Sequence, residues 1–488
     1  MQDINEITIL VKSLAANDKK MIEKACLFAQ NAHNGQLRKS GEPYFVHVFA
    51  TAKNLAELNM SPIVICAGFL HDVLEDTSVT EKEMEDNFGN EVTMLVKGVT
   101  KLGTVRYKGI ERNVENLRKF FVSIAEDPRV LVIKLADRLH NIETLQHVAP
   151  EKQKRIALET LEVYAPLANR LSMGNLKSRL EDAAFAYAYP KECDEVEKLI
   201  AMQKDANKNY LNEVKENIAL KLKEQKIENR IDYRVKHLYS LWKKLQKYDM
   251  DMGKIYDTMA IRVMVENVEQ CYHVLGIIHG SWKPLPGRIK DYIANPKPNG
   301  YKSIHTTIFT GTGGIVEVQI RTHQMHDEAE YGIAAHFIYK EKTIKKNTED
   351  TLKNYEWVHQ LREMESHYGR PEEFLKTIKM DFFKDRVFAF SPKGDIIDLP
   401  EESCAIDFAY AIHSDIGNHA QGCKINGKNS HLHTKLKNHD IVEIIINKKA
   451  NPNSKWLEYV KTTMAKKHIN VYLRDHSLLA KFKSFGNF

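Results

Sequence analysis

Near residue 230 the spacing of apolar residues changes from a helical to a strand period, so no single kind of layer can accommodate the whole chain. From residue 17 to about 189 apolar residues recur three or four apart, which predicts helices. Two of these helices have marked starts. Ser61-Pro62 opens IVICAGFLHDVLED and Asp127-Pro128 opens RVLVIKLADRLHNIETL. Ser or Asp suits the N-cap, and Pro suits the first helical position. Residues 191–230 read as a charged helical connector. Beyond it, alternation or short apolar runs at 260–265, 274–279, 303–309 and 315–320 predict strands, which with flanking helices make an α+β domain over 231–345. A helical linker over 346–384 leads to a small β-rich unit over 385–447, and 448–488 read as the start of a helical region. With 488 residues the chain exceeds what one core serves, in keeping with several domains.

Composition excludes some classes. Hydrophobic residues make up 43% and charged residues 28%, too apolar for a disordered chain. The longest apolar stretches, such as 130–135, fall far short of the ~20 residues that cross a bilayer. The opening MQDINEITIL lacks the basic-then-apolar layout of a secretory signal, so a cytoplasmic protein with no membrane partner is expected. Six scattered cysteines (Cys26, Cys66, Cys193, Cys271, Cys404, Cys423) fit neither a disulfide framework nor a zinc knuckle and read as reduced thiols. Net charge is +6, and residues 231–302 hold 12 Lys/Arg against 7 Asp/Glu. That concentration points to a polyphosphate partner.

The first chemical constellation lies on the predicted helices. His47 follows RKSGEPYFVH, His71-Asp72 ends an apolar helix, and Asp137 lies on a second one in KLADRLHN. Imidazole and carboxylate ligands together suit Mn, Fe or Zn, and two His with two Asp leave positions open for water and substrate. Glu75 and Asp76 follow one helical turn after His71 and Asp72, on the same face, where they can orient or deprotonate a water. Arg38 and Lys39 are candidates for phosphate, and Asn141, one turn after Asp137, can hold the metal shell or the substrate. These residues read as a metal-dependent phosphohydrolase.

A second constellation follows the period change. YRVKHLYSLWKK carries Arg234, Lys236, Ser240 and Lys244 on an expected loop leading into a helix. Asp257 precedes a strand, and Glu317 and Gln319 share one face of IVEVQI because they are two apart. A carboxylate from each of two strands can bind Mg²⁺ between triphosphate oxygens. Between them GRIKDYIANPKPNGYKSIHTT forms a basic loop with Arg288, Lys290, Lys297, Asn299, Tyr301 and His305. An exposed Tyr301 beside Gly300 can stack on a base, while Lys and His reach phosphates.

Taken in order, HNGQLRKSGEPYFVH, FLHDVLEDT, KLADRLHN, YRVKHLYSLWKK, YDTMAIRV, RIKDYIANPKPNGYKSIHTT and VEVQIRT resemble the RelA/SpoT homologue family of stringent-response enzymes, the long bifunctional Rel type, from about residue 20 to 450. The resemblance implies an all-α HD-type hydrolase domain over 1–190, an α+β nucleotidyltransferase-like synthetase domain with a mixed sheet over 231–345, and a small β-rich TGS domain over 385–447. It implies a Mn²⁺-dependent hydrolase that removes pyrophosphate from the 3′ position of ppGpp and pppGpp. It also implies a Mg²⁺-dependent synthetase that moves pyrophosphate from ATP to the 3′-hydroxyl of GDP or GTP.

Carried onto this sequence, His47, His71, Asp72 and Asp137 become Mn²⁺ ligands, Glu75 and Asp76 activate water, and Arg38 and Asn141 meet the substrate. Asp257 and Glu317 become Mg²⁺ ligands, and Glu317 also takes the 3′-hydroxyl proton. Arg234, Lys236, Ser240, Lys244 and Arg262 face ATP. Lys290, Lys297, Asn299, Tyr301, His305 and Gln319 face the guanine nucleotide. Every HD and ED residue is present, and RIKD at 288–291 resembles the basic variant of bifunctional members, so both halves are expected to be competent. The TGS resemblance implies contact with the 3′ end of uncharged tRNA, with His413 in AYAIHSDIG as its reader, and with the ribosome through the TGS and the further C-terminal domains of the family. Family members continue through further C-terminal domains, so this sequence reads as truncated after the TGS domain. Two opposed activities in one chain would waste ATP and GTP, so mutual inhibition through the connector is expected.

Overall fold

A computed structural model describes residues 2–11, 14–103, 127–251, 255, 259–297, 299–310, 314–335, 386–437 and 440–485. These fall into two compact units, one holding the described residues up to 335 and the other those from 386 onward. The expected helical linker over 346–384 and Asp257 lie outside the described residues.

The first part of unit 1 is helical. Its main elements are α1 (Ala16–Ala32), α2 (Phe45–Glu57), α3 (Pro62–Leu70), α4 (Glu81–Gly103), α5 (Pro128–Glu143) and α6 (Gly174–Ala188). In α3 every residue from Val64 to Leu70 is buried, so the helix is apolar all round and central. It packs against α1, α2, α4 and α5. Gly68 permits the close approach to α2, because a Cβ there would overlap Leu55 Cδ1 and lie 3.4 Å from Ala52 Cα. The Asp127 carboxylate caps α5, accepting from Arg129 N at 2.9 Å. Ser61 is extended before Pro62 but makes no side-chain cap bond.

The predicted helix through Asp76 is interrupted. His71 and Asp72 form a turn, and a separate short helix covers Val73–Asp76. The His71 ring donates from Nδ1 to the Gly68 carbonyl at 2.8 Å, competing with the helical backbone for that acceptor.

The connector is one long helix, α7 (Pro190–Glu224), and it is part of two cores. Cys193 and Val196 join Phe185, Leu241, Trp242, Leu245 and Ile255, while Leu211, Val214, Ile218 and Leu222 pack beneath a five-stranded sheet. The sheet holds β1 (Arg230–Val235), β2 (Met259–Val265), β3 (Lys290–Asp291), β4 (Ile304–Phe309) and β5 (Ile315–Thr322). Their order is β1-β2-β5-β4-β3. Only the β2–β5 pair is parallel, so the sheet is mixed as expected.

Two expectations are corrected here. Residues 274–279 are helical, within α9 (Val268–Ser281), which follows α8 (Leu238–Lys247) in the chain. Cys271, Val274 and Ile278 are buried at helical spacing and Asn267 caps the start, so the β-branched run serves one helix face. Arg234, expected on a loop, sits in β1, paired opposite Ala260 of β2. A last helix of this unit, α10 (His323–Tyr331), follows β5 directly.

Unit 2 has a hairpin of β6 (Arg386–Phe390) and β7 (Ile396–Pro400) and a sheet of β8 (Ala420–Ile425), β9 (Lys428–Ser430) and β10 (Val442–Ile446). Helix α11 (Ala405–Ile412) packs on both, and α12 (Thr463–Phe485) follows. Asp407, fully buried, accepts from Cys404 N at 2.9 Å, Lys461 N at 3.0 Å and Thr462 N at 2.8 Å, so it caps α11 and also fixes the entry to α12. Asp407→Ala would strand these buried donors, each costing roughly 1–3 kcal/mol. Calorimetry is expected to show a transition for this unit destabilised by about 3 kcal/mol or more. An unchanged transition would refute this role.

Candidate active sites

The helical centre is assembled by α2, the turn after α3, and α5. His47, His71 and Asp137 are all buried, and one ligand atom from each lies within 4.8 Å of the others. Asp72 joins them, with Oδ2 3.1 Å from His71 Nε2 and 3.5 Å from His47 Nε2. His47 Nε2 is 3.2 Å from Asp137 Oδ1. His71 donates its Nδ1 proton to the Gly68 carbonyl, which leaves Nε2 facing the carboxylates. That buried nitrogen has no sound hydrogen bond of its own. Burial opposes charge on His71, yet Asp72 and Asp137 outweigh it and raise the ring to about 9. Burial likewise opposes charge on Asp137, but Lys134 and the two histidines hold it far below the carboxylate range. Two carboxylates and two imidazole nitrogens, with the proton on His71 Nε2 displaced by a cation, are a fit for a divalent metal.

Around it the expected residues take definite places. Glu75 and Asp76 are exposed at the rim, on the short helix after the break. The Tyr44 hydroxyl donates to Asp72 at 2.7 Å and lies 3.0 Å from Asp76, bridging ligand and rim. Asn141 donates to Asp137 Oδ1, and Arg38 donates to Asn141 Oδ1 at 2.7 Å. Arg38, expected at the substrate, is thus tied through Asn141 to Asp137 of the His/Asp cluster. Sequence reasoning missed Lys134, Tyr44 and His140. Lys134 and His140 sit three residues either side of Asp137 on one helix, a spacing that could have flagged them. Burial first, then His47 and Arg38, push the His140 ring down to about 3, so it is neutral.

The second site follows from strand alternation. Ile261, Val263, Ile304, Ile308, Val316, Val318 and Ile320 point to the core with α7 and α9. Their neighbours in sequence, Arg262, His305, Glu317, Gln319 and Arg321, therefore share the opposite face. Register aligns them, with Lys290 opposite His305, His305 opposite Gln319, and Gln319 opposite Arg262. Gln319 donates to Glu317 Oε1 at 2.8 Å, and His305 Nδ1 is 3.4 Å from the same oxygen. His305 Nε2 meets the Tyr301 hydroxyl at 2.8 Å.

Tyr301 is half-buried rather than exposed. Its ring stands edge-on to Tyr292 and His305, with the Lys297 ammonium 4.8 Å from its centre. The Asn299 carbonyl accepts from Ser172 Oγ of the helical part. Ser240 is 3.4 Å from Glu181 of α6, so it faces the helical part, while Lys244 lies further along α8 and Lys236 between β1 and α8.

Positive charge is concentrated on this face. Arg262 and Arg321 share the Glu330 carboxylate at 3.3 and 3.4 Å, and neither Nε has a partner among the described residues. Burial and then Arg321 lower Arg262 to about 10. Burial, Lys297 and Arg234 push His305 well below its usual value. The sequence did not flag Arg321, Glu330 or His326. In unit 2, His413 is exposed and its ring accepts from Asp415 N at 3.1 Å, capping a short helix.

Among the described residues no helix is long and apolar enough to cross a membrane. Residues 25–174 match an HD domain, 233–344 the region found in RelA and SpoT proteins, and 387–446 a TGS domain. The chain is 44% identical over 462 residues to a GTP pyrophosphokinase of Myxococcus xanthus, covering 94% of this chain and 61% of that one. It is 44% identical over 454 residues to a guanosine-3′,5′-bis(diphosphate) 3′-pyrophosphohydrolase of Aquifex aeolicus, covering 93% and 64%. It is 39% identical over 468 residues to the bifunctional (p)ppGpp synthase/hydrolase SpoT of Escherichia coli, covering 96% and 66%. The chain spans about three fifths of the length of the first of these relatives. With HD, RelA/SpoT and TGS segments in this order and relatives matched over more than nine tenths of its length, the chain belongs to the RelA/SpoT homologue family.

Proposed function

We propose that this chain both synthesises and degrades guanosine tetra- and pentaphosphate, at the polar sheet face and the helical centre respectively. The observation that carries the reading is the opposite charge of the two sites: a buried His/Asp cluster suited to a cation, and a face crowded with Arg, Lys and His suited to polyphosphate.

In the hydrolase, His47, His71, Asp72 and Asp137 would hold Mn²⁺, which when bound supplies Lewis-acid polarisation of a phosphoryl oxygen. Glu75 and Asp76 at the rim take the proton of a water that attacks the 3′-linked phosphorus. The bond from that phosphorus to the 3′ oxygen breaks, and a proton passes to the oxygen. The products are GDP or GTP and pyrophosphate.

In the synthetase, Glu317 with Asp257 would hold Mg²⁺, which when bound offsets charge on the ATP phosphates. Glu317 also accepts the proton of the 3′-hydroxyl of GDP or GTP. That oxygen attacks the β-phosphorus of ATP, the bond to the α-phosphate oxygen breaks, and AMP leaves. Arg234, Lys236, Ser240, Lys244 and Arg262 serve the ATP side. Lys290, Lys297, Asn299, Tyr301, His305 and Gln319 hold the guanine nucleotide, with Tyr301 against the base once Lys297 turns to phosphate. The TGS segment, through exposed His413, would meet uncharged tRNA, and the ribosome would be reached through it together with C-terminal domains of the kind family members carry. Six buried, free cysteines support a reducing, cytoplasmic setting.

Paired assays test both halves. His71→Ala is expected to lower hydrolysis by about a hundredfold or more and to spare synthesis. Glu317→Ala is expected to do the reverse. Protein stripped of metal that still hydrolyses the alarmone would overturn the first assignment, and failure to form AMP from ATP and GDP would overturn the second.

The contacts of Ser172 with Asn299, and of Asp182 in α6 with His237 at 2.9 Å, support mutual inhibition between the sites. Occupying the hydrolase site with a non-hydrolysable alarmone is expected to slow synthesis severalfold. Simultaneous saturation of both sites with neither rate changed would refute this coupling.

A further inference from the structure

Arg38 and His140 stand outside the four metal ligands, and their hydrogen bonds fix where protons lie inside the centre. An arginine side chain can only donate. Arg38 Nη1 lies 3.1 Å from His140 Nδ1, and Arg38 Nη2 lies 2.7 Å from Asn141 Oδ1. His140 Nδ1 therefore presents a lone pair. The same nitrogen is 2.8 Å from Nδ1 of His47, and a bond between two ring nitrogens needs one donor. With His140 accepting, His47 must carry its proton on Nδ1. The Nε2 lone pair of His47 is then free, on the side where Asp137 Oδ1 lies at 3.2 Å and Asp72 Oδ2 at 3.5 Å.

Asn141 obeys the same logic. Its carbonyl faces Arg38, so its amide faces Asp137. One guanidinium thereby orients two side chains on α5, and each bears on a different ligand. His71 needs no such help, because the Gly68 carbonyl already fixes its tautomer.

We propose that Arg38 and His140 are positioning residues for the metal: Arg38 holds His140 as an acceptor, and His140 sets the tautomer and aim of His47. This rests on reading the helical centre as a Mn²⁺ site. It assigns His140 a role that no motif gave it, and it gives Arg38 a task that is already complete before substrate arrives.

The test is a Mn²⁺ titration followed by the paramagnetic resonance of the free ion, with no nucleotide present, on the full chain and three variants. Thermal unfolding of each variant checks that it is folded. His140→Leu and Arg38→Met are expected to bind Mn²⁺ about 10–100-fold more weakly, the usual cost of removing a group that orients a metal ligand. His140→Asn, whose carbonyl can accept where Nδ1 stood, is expected to stay near the parent affinity. An Asn variant as weak as the Leu variant would overturn the acceptor role. Should His140→Leu fail to fold, Arg38→Met decides, since an arginine that met only substrate would leave substrate-free affinity unmoved. Unchanged affinity in that variant overturns the proposal, whereas failure of the parent chain to bind Mn²⁺ overturns the reading of the centre itself.

Discussion

Charge removed from water is the constraint on which both sites depend. Burying ions costs several kcal/mol each in practice, and a fold carries that cost where the groups serve chemistry. In the helical centre the imbalance is negative in its demand: the carboxylates raise the His71 ring to about 9 and the histidines and Lys134 hold Asp137 low. On the sheet face it is positive: Arg262 is lowered to about 10 and His305 is pushed far down among its cationic neighbours. The two environments therefore select ligands of opposite sign. What makes each tolerable is the apolar structure behind it, the all-buried helix α3 in one case and the apolar underside of the sheet in the other.

The two sites share a mechanical seam. The turn at 171–174 leads into α6 and touches α10 and the turn that follows it at backbone level. Ile333 N donates to Leu171 O at 3.0 Å, and a Cβ on Gly174 would lie 2.5 Å from Ala329 O. Gly332 adopts φ +57, and any side chain there would overlap the Leu171 carbonyl. Backbone packed this closely cannot slide without displacing its neighbour. Further along α6, the Phe185 ring packs tilted against Trp242 of α8, with ring centres 5.1 Å apart, and α7 continues from that cluster to the underside of the sheet. The connector is thus a shared wall of both cores, which is a more direct route for coupling than a charged spacer.

The buried His/Asp cluster was legible as a cluster because imidazole and carboxylate residues on strongly apolar helices have few other reasons to be there. The sheet face was legible because alternation in IVEVQI separates its two sides. What escaped the sequence was what distant elements do to a segment. The run at 274–279 is rich in β-branched residues, but packing against the sheet made it a helix. Arg234 was misplaced because a short polar strand gains its identity from β2 beside it. Arg38 could be singled out as a cation preceding His47, but its bonds to His140 and Asn141 span more than a hundred residues and leave no local pattern. Tyr301 looked exposed because its cover, Tyr292 and Lys297, comes from the loop before it.

Register turns this alternation into a site. A slip of one residue between β2 and β5 would turn Glu317, Gln319 and Arg321 into the apolar core and Val316, Val318 and Ile320 out of it. The parallel pairing that prevents this sets Arg262 opposite Gln319 and Ala260 opposite Glu317. A small residue opposite Glu317 leaves the carboxylate room that a larger neighbour would fill, while Thr307 lies opposite it on the other side. The long helix α7 and α9 grip the apolar underside and hold that register. The placing of Glu317 on the polar face therefore depends on apolar residues on the opposite side of the sheet. Substitutions in the wall formed by Leu211, Val214 and Ile218 would therefore reach the polar face only through the sheet that separates them from it.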